Sequence, residues 1–118
     1  MKRRLATAIV LVAALAPAAT AAAPPPARLQ VSGDEFSLAL SRASIRKGLA
    51  IIELVNYGED DHDLALRRTG GMRTYRIGVV EPSQTGSLEA RLRPGRFTLW
   101  CTLADHRSRG MRATLTVR

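Results

Sequence analysis

From Phe36 onward, apolar and polar positions alternate with a period of two. Phe36, Leu38 and Leu40 share one side, with Ser37, Ala39 and Ser41 on the other. Leu49, Ile51, Glu53 and Val55 alternate with Ala50, Ile52 and Leu54 and are apolar on nearly both sides, which predicts a strand inside a sheet. Leu64 and Leu66, then Leu88, Ala90 and Leu92, then Phe97, Leu99, Cys101 and Leu103, then Met111, Ala113, Leu115 and Val117 repeat the pattern. Turn signals separate these runs: Lys47-Gly48, Asn56-Tyr57-Gly58, Gly70-Gly71, Glu81-Pro82 and Arg93-Pro94-Gly95. No stretch carries a helical period. Several short strands at regular spacing predict an all-β chain folded as a β-sandwich.

The N-terminal segment breaks this pattern. Lys2, Arg3 and Arg4 precede 19 uncharged residues, Leu5 to Ala23, which contain the small-x-small site Ala19-Thr20-Ala21. This is the form of a secretory signal peptide over residues 1–21, cut near Ala21 or Ala22. The alternative is an uncleaved membrane anchor, because the run approaches the roughly 20 residues a spanning helix needs. A Pro-rich leader, 22–30, would follow, with the domain itself at 31–118. The expected location is extracytoplasmic, periplasmic or secreted.

Cleavage changes the charge. The full chain of 118 residues carries 18 basic and 10 acidic side chains, for a net charge of +8; without Lys2, Arg3 and Arg4 the balance is +5. The remaining Arg residues are scattered rather than clustered with aromatics, so a nucleic-acid partner is not expected. Arg107, Arg109 and Arg112 are the candidates for a basic face that attracts an acidic redox partner. The acidic turn Glu59, Asp60, Asp61 and Asp63 is expected to pair with one of these three.

The chain has one Cys, two His and three Met. A single Cys excludes an internal disulfide and any multi-Cys metal cluster. By the alternation, Cys101 lies on the buried side with Phe97 and Leu99, and Trp100 faces the other way, either packing on a sheet face or offering a surface route for electrons. Cys101, His106 and Met111 fall within eleven residues, and His62 begins an earlier strand. A His₂Cys set with a weak axial Met is the donor set of a blue-copper site: thiolate and thioether suit Cu(I), imidazole suits Cu(II).

These residues also carry a resemblance. Phe36-Ser37-Leu38, Ile45-Arg46-Lys47-Gly48, Asn56-x-Gly58-x-x-x-His62, Pro94-Gly95-Arg96-Phe97-Thr98-Leu99-Trp100-Cys101, Cys-x₄-His-x₄-Met and Ala113-Thr114-Leu115-Thr116-Val117 resemble the cupredoxins, the small blue-copper domains of the plastocyanin, pseudoazurin and azurin type. The resemblance implies a Greek-key β-sandwich of seven or eight strands. It implies one type 1 copper ion with His62, Cys101, His106 and Met111 as ligands, and an exposed edge on His106. Two positions depart from the family pattern. Asp63 stands where many members have an Asn that holds the Cys loop; if it accepts a hydrogen bond from Thr102, it can still tie the loops, and its charge would favour Cu(II). Arg107, Ser108 and Arg109 occupy a stretch that is usually small or apolar.

The expected function is that of a monomeric, exported one-electron carrier and not an enzyme, since four protein ligands leave no open position for substrate. A copper-delivery protein for a cuproenzyme and a metal-free interaction scaffold are the alternatives. Contact with a membrane is expected only if the N-terminal segment stays attached.

Overall fold

The computed structural model describes residues 1–118. Residues 1–26 form no helix or strand, and no helix of the chain is long and apolar enough to cross a membrane. The strands then follow in order: β1 (Ala27–Asp34), β2 (Ser37–Leu40), β3 (Ser44–Ile45), β4 (Gly48–Asn56), β5 (His62–Arg68), β6 (Thr74–Val80), β7 (Thr85–Leu92), β8 (Gly95–Trp100) and β9 (Arg112–Val117), with one helical turn, α1 (His106–Arg109), before the last.

They make two sheets. One has the order β2-β1-β4-β7 and the other β3-β9-β8-β5-β6. Most neighbours are antiparallel, but β1 runs parallel to β4 (Ala27 opposite Ala50) and β3 runs parallel to β9 (Ser44 opposite Thr116). Twenty buried apolar side chains from both sheets form a single core between them, with Phe97, Leu29, Ile52, Leu54, Leu66 and Leu99 among the largest. The alternation explains the layers. In β4, Ala50, Ile52 and Leu54 are fully buried, while Ile51, Glu53 and Val55 on the other face are half-buried.

The all-β sandwich agrees with the pattern of the sequence, and three details correct it. There are nine strands rather than seven or eight. The domain begins at Ala27, inside the segment expected to be a leader: Ala27, Leu29 and Val31 are buried and alternate with exposed Arg28 and Gln30. The parallel ladder to β4 holds this strand, and its short Ala and adjoining prolines hide the alternation. β6 also lacks a sequence signal, because Gly78 interrupts it and Arg76 and Val79 are exposed; only its ladder with β5 defines it.

Candidate metal centre

The four candidate ligands meet at one end of the sandwich. His62 is the first residue of β5. Cys101 follows the last residue of β8, and Met111 precedes β9. His62, Cys101 and Met111 are 0% exposed and His106 is 8% exposed. His62 Nδ1 lies 3.3 Å from His106 Nδ1, and Cys101 Sγ lies 3.5 Å from the same His106 nitrogen. One donor atom from each of the three residues falls within 4.8 Å of the others. The Met111 side chain lies beside that of His62: a Cβ added to Gly33 on β1 would sit 3.6 Å from His62 Cδ2 and 3.7 Å from Met111 Cε.

Local hydrogen bonds shape the loop that carries three of these residues. The Cys101 N–H donates to the Met111 carbonyl and the Met111 N–H to the His106 carbonyl, both at 3.1 Å, which pins the two ends of the loop together. Ser108 Oγ donates to the Asp105 carbonyl at 2.8 Å and stabilises the short helical turn. Gly110 ends that turn at a φ of +128°, where a Cβ would lie 2.7 Å from the Phe36 carbonyl oxygen. Only glycine combines that conformation with so close an approach.

Asp63 links β5 to the Cys loop. Its Oδ1 accepts the Thr102 N–H at 2.6 Å, and its Oδ2 accepts the Thr102 hydroxyl. A carboxylate therefore makes the tie expected of this position. Burial pushes the Cys101 thiol above its ordinary value, against the pull of the Asp63 and Leu103 backbone N–H groups.

Two residues to which the sequence assigned no role in the site complete it. Asn56, fully buried at the end of β4, donates from Nδ2 to the Asp60 carbonyl at 2.7 Å and to the Val80 carbonyl at 2.9 Å, while its Oδ1 accepts the Gly58 N–H at 2.8 Å. It thus folds the loop before His62 onto the end of β6, where Val80 pairs with His62. The Asn-x-Gly spacing carried that signal, because a side chain bonding its own loop is what Asn does at a turn. Glu35, in the turn between β1 and β2, accepts the Asp60 N–H at 2.7 Å and the Glu59 N–H at 2.9 Å, and lies 3.0 Å from His62 Nε2. The Asp60 and Glu59 amides, helped by His62, hold its carboxyl down at about 2. No local motif marks this residue.

The rim differs from expectation in two ways. His106 presents little edge to solvent. Its ring packs on Phe36 with centroids 5.1 Å apart, and Asp60 Oδ2 lies 3.7 Å from its Nε2. The acidic turn does not pair with the arginines. Arg109 pairs with Asp105 at 3.1 Å and stacks over Phe36, whereas Arg107 stacks over Trp100 with its guanidinium carbon 4.6 Å from the ring centroid. The helical turn sends these two side chains to different rings because they are two positions apart. Arg107 and Trp100 border an open cleft of ≈ 430 Å³ that Arg67 and Arg68 also line. Arg112 is exposed and lies opposite Trp100 in the β8–β9 ladder.

No protein-family profile matches the chain, and no curated protein does. Solved structures match over most of its length. A reduced auracyanin from the photosynthetic bacterium Roseiflexus castenholzii superposes with a TM-score of 0.63 at 14% identity, covering 77% of this chain and 96% of the other. Amicyanin from Paracoccus versutus gives a TM-score of 0.55 at 16% identity over 80% and 85%. A purple cupredoxin from Nitrosopumilus maritimus gives 0.54 at 14% identity over 75% and 98%. At such identities the likeness is one of fold: the two sheets adopt a cupredoxin-like β-sandwich.

Proposed function

We infer that the domain holds one copper ion and serves as a one-electron carrier. The convergence of two imidazole nitrogens and one thiol in a buried pocket supports this reading. Without a cation between them, His62 Nδ1, His106 Nδ1 and Cys101 Sγ can share few protons, yet all three face one another. The donors are soft and borderline, the combination that suits copper in both oxidation states. His62, Cys101 and His106 would hold the ion, with Met111 as the weak fourth ligand. Copper supplies a one-electron couple at that position. The protein's part is to keep the ligands in one arrangement: the Cys101–Met111 backbone bond, the Asp63–Thr102 tie and the Asn56 clamp all restrain them. Burial of the four side chains, none more than 8% exposed, keeps solvent from them. With four protein ligands there is no place for a substrate, which is the argument against an enzyme.

An extracytoplasmic location is part of the same reading. It rests on the charged Lys2-Arg3-Arg4, the uncharged run and the Ala19-Thr20-Ala21 site. The partner would be an acidic redox protein drawn to a monomer by Arg107, Arg109 and Arg112, so its association should weaken with salt.

Loading the purified protein with Cu(II) tests the central claim. An intense visible band from thiolate-to-copper charge transfer, bleached reversibly by a reductant and absent in Cys101→Ser, is the expected result. Copper uptake without colour points instead to delivery, and no uptake to a metal-free scaffold; either outcome overturns the carrier reading.

A further inference from the structure

Glu35 is the hub of a hydrogen-bond cluster that spans both sheets. Its turn belongs to the four-stranded sheet, while His62 opens a strand of the five-stranded one. The side chain of Glu35 is 23% exposed and that of His62 is 0% exposed, so their 3.0 Å contact runs from the rim into the buried pocket. The same Oε1 that faces His62 also accepts the Asp60 amide at 2.7 Å, and the Glu59 amide reaches both oxygens, Oε1 at 2.9 Å and Oε2 at 3.0 Å. Gly58 makes room for this: a Cβ there would stand 2.6 Å from the carboxyl carbon of Glu35.

The chemistry of the contact fixes a proton. An ionised carboxylate only accepts hydrogen bonds. His62 must therefore carry its proton on Nε2, and the lone pair of the neutral ring then lies on Nδ1, the atom that faces His106. Imidazoles that bind metals commonly donate their other N–H to a carboxylate, which orients the ring and raises its basicity. The Phe36 ring beside Glu35 packs on His106, so one turn braces both histidines.

We propose that Glu35 is a positioning residue for His62: it sets the Nε2–H tautomer, holds the ring with Nδ1 aimed at the pocket, and uses its charge to favour Cu(II) over Cu(I). The last effect rests on the copper reading above; the first two do not.

Three variants test this. Glu35→Gln keeps the size and one acceptor oxygen but removes the charge. Glu35→Ala removes the partner altogether. Glu89→Gln, on an exposed position of β7, controls for net charge. In the metal-free protein, nitrogen–proton NMR of the His62 ring should show Nε2–H in the unsubstituted chain and a mixture of tautomers in Glu35→Ala. In the copper-loaded protein, a redox titration should show the preference for Cu(II) over Cu(I) falling about tenfold in Glu35→Gln, a rise in potential of about 59 mV for one electron. Glu89→Gln should leave the potential unchanged. An Nδ1–H tautomer in the unsubstituted chain, or equal potentials for Glu35→Gln and Glu89→Gln, overturns the proposal. If the unsubstituted protein binds copper without the charge-transfer band, the copper reading fails separately and the tautomer alone decides the role of Glu35.

Discussion

Replacing Asn56 with Ala deletes three hydrogen bonds at once, and the structure allows the loss to be estimated. Nδ2 serves the carbonyls of Asp60 and Val80 and Oδ1 serves the Gly58 amide, all from a side chain with no solvent exposure. A hydrogen bond contributes a net ~0.5–1.5 kcal/mol, and a buried partner left unpaired adds its own penalty. The sum is about 2–4 kcal/mol, a large share of the stability of a domain this size. For a domain of 60–100 residues, each 1 kcal/mol moves the midpoint by roughly 4–8 °C, so Asn56→Ala should melt about 8–32 °C lower. Urea unfolding of the metal-free protein, followed by far-ultraviolet circular dichroism, measures the change directly, and an unaltered m-value would place the loss in the native state. Asn56→Asp should be at least as damaging at neutral pH, because a carboxylate oxygen would then face the two carbonyl oxygens. A loss below about 1 kcal/mol for Asn56→Ala, the level of an ordinary surface substitution, would refute the reasoning and show that the loop before His62 is held by other contacts.

Two further outcomes follow from the same geometry. Asp63→Ala should free the Cys loop from β5, so the Thr102 amide, now bound to Asp63 Oδ1, should exchange with deuterium at least tenfold faster; unchanged exchange would place the restraint elsewhere. The stability of the metal-free protein should fall at both ends of the pH range. Glu35 is lowered from 4.5 to about 2 by folding, so its contribution is present above pH 4.5 and is lost as pH falls toward 2. The Cys101 thiol is raised from 9.0, so its contribution is present below about pH 9 and is lost as the unfolded thiol ionises above it. Urea midpoints measured against pH should lose the acid arm in Glu35→Gln and the alkaline arm in Cys101→Ser; arms that persist in these variants would assign the pH dependence to other groups.

Much of this architecture is legible in the sequence wherever a pattern is local. The alternation in β4, β8 and β9 reports burial directly, because each residue's side is set by its own position in the strand. The spacing of Cys101, His106 and Met111 is legible for the same reason: eleven consecutive residues make the loop. β1 escaped because its Ala and neighbouring prolines dilute the pattern, and β6 because Gly78 and Arg76 break it. Glu35 was out of reach for a different reason. Its partners Glu59, Asp60 and His62 lie 24, 25 and 27 positions away, and nothing near Glu35 announces them. The packing of His106 against Phe36 and Asp60 is equally non-local, which is why an exposed ring edge was expected where only 8% remains exposed.

The parallel ladders have a consequence for when the site comes into being. β1, the first strand of the domain, must wait for β4, and β3 must wait for β9 at the other end of the chain. Sandwiches built on such distant pairings fold in milliseconds to seconds, and small domains do so in one cooperative step. Until β9 docks, His62 is a single imidazole without its partners, and the thiol of Cys101 is an ordinary exposed cysteine. The donor set therefore arises whole, in the same cooperative step that docks β9. Whichever compartment holds the chain at that moment also decides which metal ions the pocket first encounters.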